Sequence, residues 1–292
     1  MVTMNALIVA GIAALSAFAG GAVATAESMR EPYVMERAEV WRLPAETGDQ
    51  YTIYVSRPAS PAPSGGYPVL YVLDGDDNFA IAAKTASRMA RFSGGEIQEG
   101  VIVGIGYRDL AQRVYDYTPA DVAAGDWRGM KTGGAAAFRA FISDVLQPAI
   151  AEEFQVDTER QALMGHSFGG LFVLDTLFTE PALFNSYIAA SASIWFGGET
   201  LLEKSDAFAK KSGPAGARKL TLLVGELENS GDAASTSRSS RMIEENARLA
   251  EHIGEAQSLT VRHRVLSGET HATTVLPAIA EAIKLAFTRE PQ

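Results

Sequence analysis

A serine at a glycine-flanked turn is the residue of this 292-residue sequence best placed to act as a nucleophile. Ser167 is the centre of Gly165-His166-Ser167-Phe168-Gly169, a Gly-x-Ser-x-Gly pattern. Residues 160–164 favour a buried strand and residues 170–178 a buried helix. A strand, a sharp turn and a helix in this order are typical of a nucleophile elbow. The short pattern also occurs by chance, so the rest of the chain must supply a base and an acid.

Four histidines are candidates for the base that removes the proton of a serine hydroxyl. His271 is favoured, because it follows the last predicted strand in a glycine-containing loop and precedes the last predicted helix. Its alternative role is that of a capping neighbour of this helix. His166 is expected to point away from Ser167 on the tight turn and to be structural. His252, in a surface helix, and His263, within a strand, are expected to be solvated or packing residues.

The acid that orients the base is expected after the apolar run 220–225, which predicts another buried strand. Glu228 is preferred over Glu226, because a side chain that reaches the histidine usually lies a few residues into the loop. Asp232 is a further candidate. The order along the chain is then serine, acid, histidine, which is the order of an α/β-hydrolase triad.

Two backbone N–H groups are needed to stabilise the oxyanion of a tetrahedral intermediate. One is expected from Phe168, directly after the serine. The other is expected after the apolar run 67–73, at Asp76, with Gly75 allowing the turn. Removing one such donor from a comparable site costs about 3 kcal/mol of transition-state stabilisation.

These residues meet if the chain forms an open, mainly parallel sheet, because active sites of such sheets assemble at the carboxyl ends of the strands. Strand and helix patterns alternate along the chain, and residues 38–43 and 51–56 favour antiparallel strands at one edge. We therefore predict an α/β-hydrolase fold, with a mainly parallel central sheet and helices on both faces. Residues 108–134 are expected to form a long loop at one rim, and residues 205–216 a polar surface segment.

The composition is that of a single globular domain and excludes several kinds of site. The formal net charge of -10 argues against a broad nucleic-acid surface, which would need clustered lysines and arginines. The absence of cysteine excludes disulfides, thiolate nucleophiles and cysteine-based metal sites. We expect no metal and no cofactor.

The N-terminus is predicted to be a secretory signal peptide, residues 1–26. It contains no charged side chain, is rich in small and apolar residues, and ends in Ala24-Thr25-Ala26, a small-x-small cleavage pattern. The mature domain, residues 27–292, would then be periplasmic or secreted, with no membrane span left after cleavage. The apolar segment lacks a preceding lysine or arginine, so an uncleaved anchor and a misassigned start are the alternatives.

Five short motifs are spread over most of the chain: Tyr71-Val72-Leu73-Asp74-Gly75, Tyr117-Thr118-Pro119, Gly165-His166-Ser167-Phe168-Gly169-Gly170, Ser191-Ala192-Ser193-Ile194-Trp195 and the loop 268–271. Together they resemble the esterase D/enterobactin-esterase superfamily, and within it the periplasmic siderophore esterases. The similarity runs from about residue 37 to residue 287.

The resemblance implies a serine esterase that hydrolyses the ester bonds of a catecholate trilactone such as enterobactin, in its ferric or iron-free form, and so releases iron. In that family the acid is sometimes absent or dispensable, which leaves a Ser–His pair. Two other functions stay open. One is a general short-chain carboxylesterase or thioesterase, and the other is a hydrolase-fold protein that binds its ligand without hydrolysing it.

Cationic and aromatic residues on the predicted loops could hold an anionic, aromatic ligand such as a ferric catecholate. The predicted substrate-binding residues are Arg108, Arg113, Tyr117 and Trp195, with Tyr115, Trp127 and Phe196 nearby. The alternative for Arg113 and Tyr117 is that they only brace the long loop.

Overall fold

The computed structural model describes residues 31–46, 48–120, 126–211, 218–229, 241–254, 256 and 259–289. The predicted signal peptide and the acid candidate Asp232 lie outside these residues. Contacts divide the chain into Met1–Met35 and Glu36–Gln292, and the few described residues of the first unit contain no helix or strand. Within the described ranges, no helix combines the length and apolar character that crossing a membrane requires.

Ten strands occur in the described residues: β1 Ala38–Pro44, β2 Gln50–Ser56, β3 Tyr67–Leu73, β4 Val101–Ile105, β5 Asp126–Trp127, β6 Met130–Lys131, β7 Val156–His166, β8 Ser186–Ala190, β9 Arg218–Gly225 and β10 Leu259–Leu266. The helices are α1 Gly75–Phe92, α2 Leu110–Tyr117, α3 Ala135–Phe141, α4 Gln147–Glu153, α5 Phe168–Thr179, α6 Ile194–Lys211, α7 Met242–Ile253 and α8 Val275–Phe287. A π-helical turn, Ile142–Leu146, joins α3 to α4, and a 3-10 turn, Glu226–Asn229, follows β9.

One sheet contains eight of these strands in the order β1-β2-β4-β3-β7-β8-β9-β10. The six strands from β4 to β10 in this order pair in parallel, whereas β2 pairs antiparallel with β1 and with β4. The residues of β3, β4 and β8 are almost all buried, as expected for parallel strands covered on both faces. The predicted α/β-hydrolase fold is confirmed, as are the antiparallel strands at one edge.

The helices form two groups that cover the two faces of the sheet. Helices α1 and α8 pack against each other and contact β3, while α5 packs against β7 and β8, with α6 beside α5 and α7 beside α6. Helix α5 is buried along nearly its whole length, which explains why its sequence is apolar on all sides. The strand–helix boundary between β7 and α5 is therefore held from both faces.

The prediction of a long loop over residues 108–134 is wrong, because α2 and the β5–β6 hairpin lie within it. Asp109 caps α2, since its Oδ1 accepts a hydrogen bond of 2.8 Å from the backbone N–H of Gln112. The Gln112 side chain in turn accepts from the N–H of Arg108 at 2.7 Å, close to a capping box. Asp-x-x-Gln was the available signal in the sequence.

The prediction of a polar surface segment over residues 205–216 is also wrong in part. Residues 205–211 belong to α6, where Ser205 and Phe208 are buried, whereas residues 212–217 lie outside the described chain. The charged residues around these two positions, Lys204, Asp206 and Lys210, obscured a helical pattern that buries one face.

Candidate active site

Ser167 lies at the sharp turn between β7 and α5, as the sequence predicts for a nucleophile elbow. Its backbone has φ 59° and ψ -118°, a conformation that residues other than glycine rarely adopt. A Cβ atom at Gly165 would overlap the backbone of Gly169, and one at Gly170 would lie 2.9 Å from the Cα of Ala192. The glycines are therefore required because strand, turn and helix approach so closely.

Ser167, His271 and Glu228 form a continuous hydrogen-bonded series across the carboxyl ends of β7, β9 and β10. The Ser167 Oγ lies 3.1 Å from Nε2 of His271, and Nδ1 of His271 lies 2.8 Å from Oε2 of Glu228. Both distances allow proton transfer or a directed hydrogen bond. These are the three residues that the sequence analysis selects first for nucleophile, base and acid.

Glu228 is a buried carboxylate with a full set of hydrogen-bond donors around it. Its side chain is 1% exposed, and Oε1 accepts from Ser191 Oγ and from the N–H of Gly225, each at 2.6 Å, and from Thr274 Oγ1 at 3.1 Å. Burial raises the pKa of Glu228, but the hydrogen bonds from His271, Ser191 and Gly225 outweigh it and leave the pKa below its usual value. The group is thus ionised at neutral pH and fixed beside His271.

Glu226, the second choice for the acid, does not contact the His271 ring. Its Oε2 accepts from Ser267 Oγ at 2.7 Å and from the N–H of Gly268 at 2.8 Å. The two glutamates lie in a 3-10 turn, so their side chains leave the backbone in different directions. Glu226 therefore holds the start of the loop that carries the histidine.

His166 is in contact with the predicted base, which the sequence analysis did not anticipate. Its Nε2 lies 2.7 Å from the carbonyl oxygen of His271, and the centroids of the two rings are 4.7 Å apart. Burial and the neighbouring His271 lower the pKa of His166 to about 4. The two residues are 105 positions apart in the chain, so no local sequence signal could have revealed the contact.

The two amides predicted for the oxyanion, those of Phe168 and Asp76, belong to the first turns of α5 and α1. The first amides of a helix have no acceptor within the helix and point outward from it, which is the arrangement an oxyanion requires. Helix α1 follows β3, and α5 follows the neighbouring β7, in each case after one residue. Their role in binding an oxyanion stays a prediction.

The prediction that Gly75 allows the turn before Asp76 is wrong about which residue has the unusual backbone conformation. The left-handed conformation falls on Asp74, with φ 55° and ψ 49°. Gly75 is required for a different reason, since a Cβ there would lie 2.7 Å from the backbone of Gly104 and of Ile105 in β4. Glycine at this position thus allows a close approach of α1 to β4.

Arg113 and Tyr117, two predicted substrate-binding residues, hold Asp74 in this conformation. Arg113 forms a bidentate ion pair with the Asp74 carboxylate, with N–O distances of 2.6 and 2.9 Å. The backbone N–H of Asp74 donates to Tyr117 Oη at 3.1 Å. Tyr117 is 2% exposed and lies in the core, which corrects its assignment to the substrate and favours the bracing alternative.

A pocket of about 420 Å³ opens over Ser167. It is lined by Leu110, Arg113, Trp127, Arg128, Ser167, Phe168, Ser193, Trp195, Glu228, Met242 and His271. The Trp127 ring packs edge-on against Phe168 at 5.1 Å, and the Arg128 guanidinium lies 4.6 Å over Trp127. The pocket therefore combines aromatic walls with cationic groups. A larger groove of about 720 Å³, between α8 and β10, contains none of the residues of the triad.

Of the remaining predicted substrate-binding residues, one lines the pocket over Ser167 and one does not. Trp195 lines the pocket, and Phe196 packs against Phe168 at 5.0 Å. Arg108 does not line it, because its guanidinium pairs with Asp49 and Asp109 at the surface. Within the described part of the chain, no group of three or more His, Asp and Glu side chains could hold a metal ion. The expected independence from metals and cofactors stays a prediction.

The family model described as Putative esterase matches residues 45–273, which is most of the chain. The chain belongs to this esterase family. It is a carboxylic ester hydrolase, and the matched segment contains all members of the Ser167–His271–Glu228 series.

Individual members of the esterase family agree with this assignment. The chain is similar to the ferri-bacillibactin esterase BesA of Bacillus subtilis, with 32% identity over 256 residues that cover 81% of this chain and 84% of the relative. It is also similar to the siderophore triacetylfusarinine C esterase of Aspergillus fumigatus, with 37% identity over 61% of this chain and 63% of that one. The crystal structure of a BES protein from Bacillus cereus superimposes with a TM-score of 0.78 at 29% identity, covering 90% of this chain and 100% of the other.

Proposed function

We propose that this esterase hydrolyses the ester bonds of a siderophore by way of an acyl-enzyme on Ser167. The observation that carries the proposal is the hydrogen-bonded series from Ser167 through His271 to Glu228, at the floor of an aromatic and cationic pocket. A lone Gly-x-Ser-x-Gly turn would not distinguish an enzyme from a binding protein. A buried, ionised acid that orients a base toward the serine is the arrangement that activates a nucleophile.

The first half of the proposed reaction transfers the acyl group to the enzyme. His271 Nε2 takes the proton of Ser167 as Oγ attacks the ester carbonyl carbon, and the carbonyl π electrons move to oxygen. Glu228 accepts a hydrogen bond from Nδ1–H and stabilises the imidazolium ion. The amides of Phe168 and Asp76 would stabilise the oxyanion. Collapse of the intermediate breaks the C–O bond to the alcohol, which receives the proton from His271.

The second half releases the acid and restores the enzyme. His271 takes a proton from a water molecule, whose oxygen attacks the acyl carbon bound to Ser167. The second tetrahedral intermediate expels the serine oxygen, which is protonated by His271. Ester and water are consumed and acid and alcohol are formed, and His271 carries the proton in every step of the cycle.

The substrate class is proposed from the pocket and from the relatives together. Arg128 brings positive charge to a wall formed by Trp127 and Trp195, which suits a ligand with anionic and aromatic groups, whereas the charge of Arg113 is balanced by Asp74. Two of the similar proteins are named as esterases of siderophores, bacillibactin and triacetylfusarinine C. A catecholate trilactone of the enterobactin type fits both lines of support.

We also propose that the protein acts outside the cytoplasm, as a periplasmic or secreted enzyme. The support is the uncharged, apolar stretch that ends in Ala24-Thr25-Ala26. A siderophore esterase in that location would meet its substrate before transport across the inner membrane.

The decisive experiment is identification of products by mass spectrometry after incubation with ferric and with iron-free enterobactin. We expect linear hydrolysis products from at least one form, at a kcat/KM above that for p-nitrophenyl acetate and p-nitrophenyl butyrate. The S167A variant is the control and should form no product. Faster turnover of the simple esters would replace the siderophore proposal by a general carboxylesterase, and wild-type activity of S167A would refute the nucleophile.

A further inference from the structure

The histidine of the proposed triad lies on an exposed loop and needs to be held in place. The side chain of His271 is 47% exposed. The loop is tied to the 3-10 turn by Glu226, which accepts from Ser267 and Gly268, and by the N–H of Leu227, which donates to the carbonyl of Glu269 at 2.9 Å. Beyond His271, Thr274 Oγ1 donates to the carbonyl of Thr270 at 2.8 Å. These contacts hold the loop on both sides of His271, but none of them involves the backbone of His271 itself.

His166 supplies a contact to the His271 backbone from the centre of the sheet. It is the last residue of β7, which lies between β3 and β8 in the middle of the sheet. A carbonyl oxygen only accepts hydrogen bonds, so the 2.7 Å contact requires His166 Nε2 to carry a proton and donate it to the carbonyl of His271. The bond therefore ties the main chain of His271 to the sheet.

We infer that His166 is a positioning residue, whose Nε2–H fixes the main chain of His271 so that the ring of His271 points at Ser167 Oγ. The inference deepens the proposed triad and rests on it. Glu228 fixes the ring from the Nδ1 side, and His166 fixes the backbone to which that ring is attached. Two independent attachments are needed because a ring held at Nδ1 alone can still swing about that bond.

A neutral donor suits this position better than a cationic one. The centroids of the two imidazole rings are only 4.7 Å apart, and His271 becomes an imidazolium ion in each half of the proposed reaction. A lysine at position 166 could donate the same hydrogen bond, but its charge would oppose protonation of His271. Burial keeps His166 neutral well below physiological pH.

His166 does not line the pocket over Ser167, so its loss should affect turnover rather than binding. Displacing a catalytic group by about 1 Å costs on the order of 100-fold in rate. We therefore expect H166L to lower kcat about 10- to 100-fold with KM unchanged within a factor of about 2.

Two amide substitutions separate the hydrogen bond from general packing. Glutamine places its amide nitrogen at nearly the same reach as Nε2 of histidine, whereas asparagine is one methylene too short. H166Q should retain kcat within about threefold of wild type, and H166N should be reduced like H166L. The comparison of glutamine with asparagine holds even if H166L does not fold, because both are polar amides.

The variants are compared by kcat and KM on a p-nitrophenyl ester, by the rate of Ser167 modification by a fluorophosphonate, and by thermal unfolding. H252Q, at an exposed histidine paired with Asp206, is the matched control and should behave as wild type. Wild-type kcat in H166N, or equal loss in H166Q and H166N, overturns the inference. Activity of S167A would instead refute the triad itself, so the two failures are distinguishable.

Discussion

At the scale of single residues, the site depends on which of two nearby glutamates reaches the histidine. Glu228 is buried, contacts Nδ1 of His271 and is held by three further donors, whereas Glu226 contacts only the start of the histidine loop. Position in the sequence alone could rank the two but could not decide between them. Their side-chain directions are set by the 3-10 turn, which forms only in the folded chain.

Replacement of Glu228 by glutamine should be much more harmful than the same change at Glu226. E228Q retains the volume of the side chain but removes the charge that stabilises the imidazolium ion, so we expect kcat to fall about 100- to 10,000-fold. E226Q should cost less than about 10-fold, since it weakens only the loop attachment. Steady-state kinetics on one p-nitrophenyl ester measures both. A larger loss in E226Q would reverse the assignment of the acid.

The partly buried His166 should make the free energy of unfolding depend on pH. Its pKa is about 4 in the folded protein, against 6.5 for an unperturbed histidine. Between these values the unfolded chain binds more protons, so the free energy of unfolding falls as the pH falls through this range. We expect His166 to account for a loss of about 2 kcal/mol between pH 7 and pH 5.

Urea unfolding of wild type and H166Q at both pH values tests this expectation. Glutamine does not titrate, so the variant should lose about 2 kcal/mol less than wild type between pH 7 and pH 5. An identical pH dependence of the two proteins would show that His166 is not held neutral by the fold.

At the scale of elements, α2 links the surface of the pocket to the turn after β3. It carries Arg113, which pairs with Asp74, and Tyr117, which accepts from the N–H of Asp74. Leu110, at its first turn, lines the pocket. The helix thus braces the residue that leads into Asp76, the predicted oxyanion donor.

Removal of the Tyr117 hydroxyl should weaken this brace without touching the substrate. Y117F leaves the buried N–H of Asp74 without an acceptor, which should cost about 1–3 kcal/mol of unfolding free energy. We expect a lower kcat with an unchanged KM. Y115F, at a partly exposed tyrosine of the same helix, is the matched control. A raised KM in Y117F would restore the original assignment of Tyr117 to substrate binding.

The elements that sequence reasoning identified are those with long, regular patterns. The apolar runs of β3, β4, β7, β8 and β9 predict buried strands, and the ends of β7 and β9 lead to Ser167 and Glu228. Helix α2 has only two turns and its signal is the cap at Asp109, so it was assigned to a loop. The contact of His166 with His271 joins distant parts of the chain, and the aromatic ring of Tyr117 gave no indication that it was buried.

At the scale of the whole molecule, one sheet gathers the reactive groups at a single edge. Six parallel strands end on the same side. The turns after β3, β7 and β9 and the loop after β10 carry the predicted oxyanion turn, nucleophile, acid and base. The chain has a formal net charge of -10, while two arginines and one glutamate line the pocket. Arg128 is therefore the residue of the pocket on which the proposed binding of an anionic substrate depends most.

Neutralising Arg128 should affect anionic and neutral substrates differently. Its guanidinium lies over Trp127 at the pocket wall. In R128Q we expect KM for a catecholate ester to rise about 3- to 10-fold, because roughly one exposed charge interaction is lost. The KM for p-nitrophenyl butyrate should be unchanged. R88Q, which alters a cation over Phe92 on α1, away from the pocket, is the control. Equal changes for both substrates would show that Arg128 only shapes the wall.

Export of the chain should leave a mature protein that begins near Glu27. Expression of the full sequence with its own N-terminus in a Gram-negative host, followed by intact-mass measurement of the periplasmic fraction, tests the proposal. We expect a mass lower than that of the full chain by residues 1–26. A full-length product in the membrane fraction would indicate an uncleaved anchor.

Asp74, Ser167 and Ser191 are non-glycine residues with positive φ, and they stand directly after β3, β7 and β8. Each such residue carries a backbone strain of about 1–3 kcal/mol. Glycine would relieve it at any of the three, but the side chains lost would be the partner of Arg113, the predicted nucleophile and a donor to Glu228. At Asp74 and Ser191 this relief is opposed by the loss of the ion pair to Arg113 and of the hydrogen bond to Glu228, whereas at Ser167 no ion pair is lost. Selection of this enzyme for heat resistance alone would therefore gain stability most easily at Ser167, and that gain would be a loss of turnover.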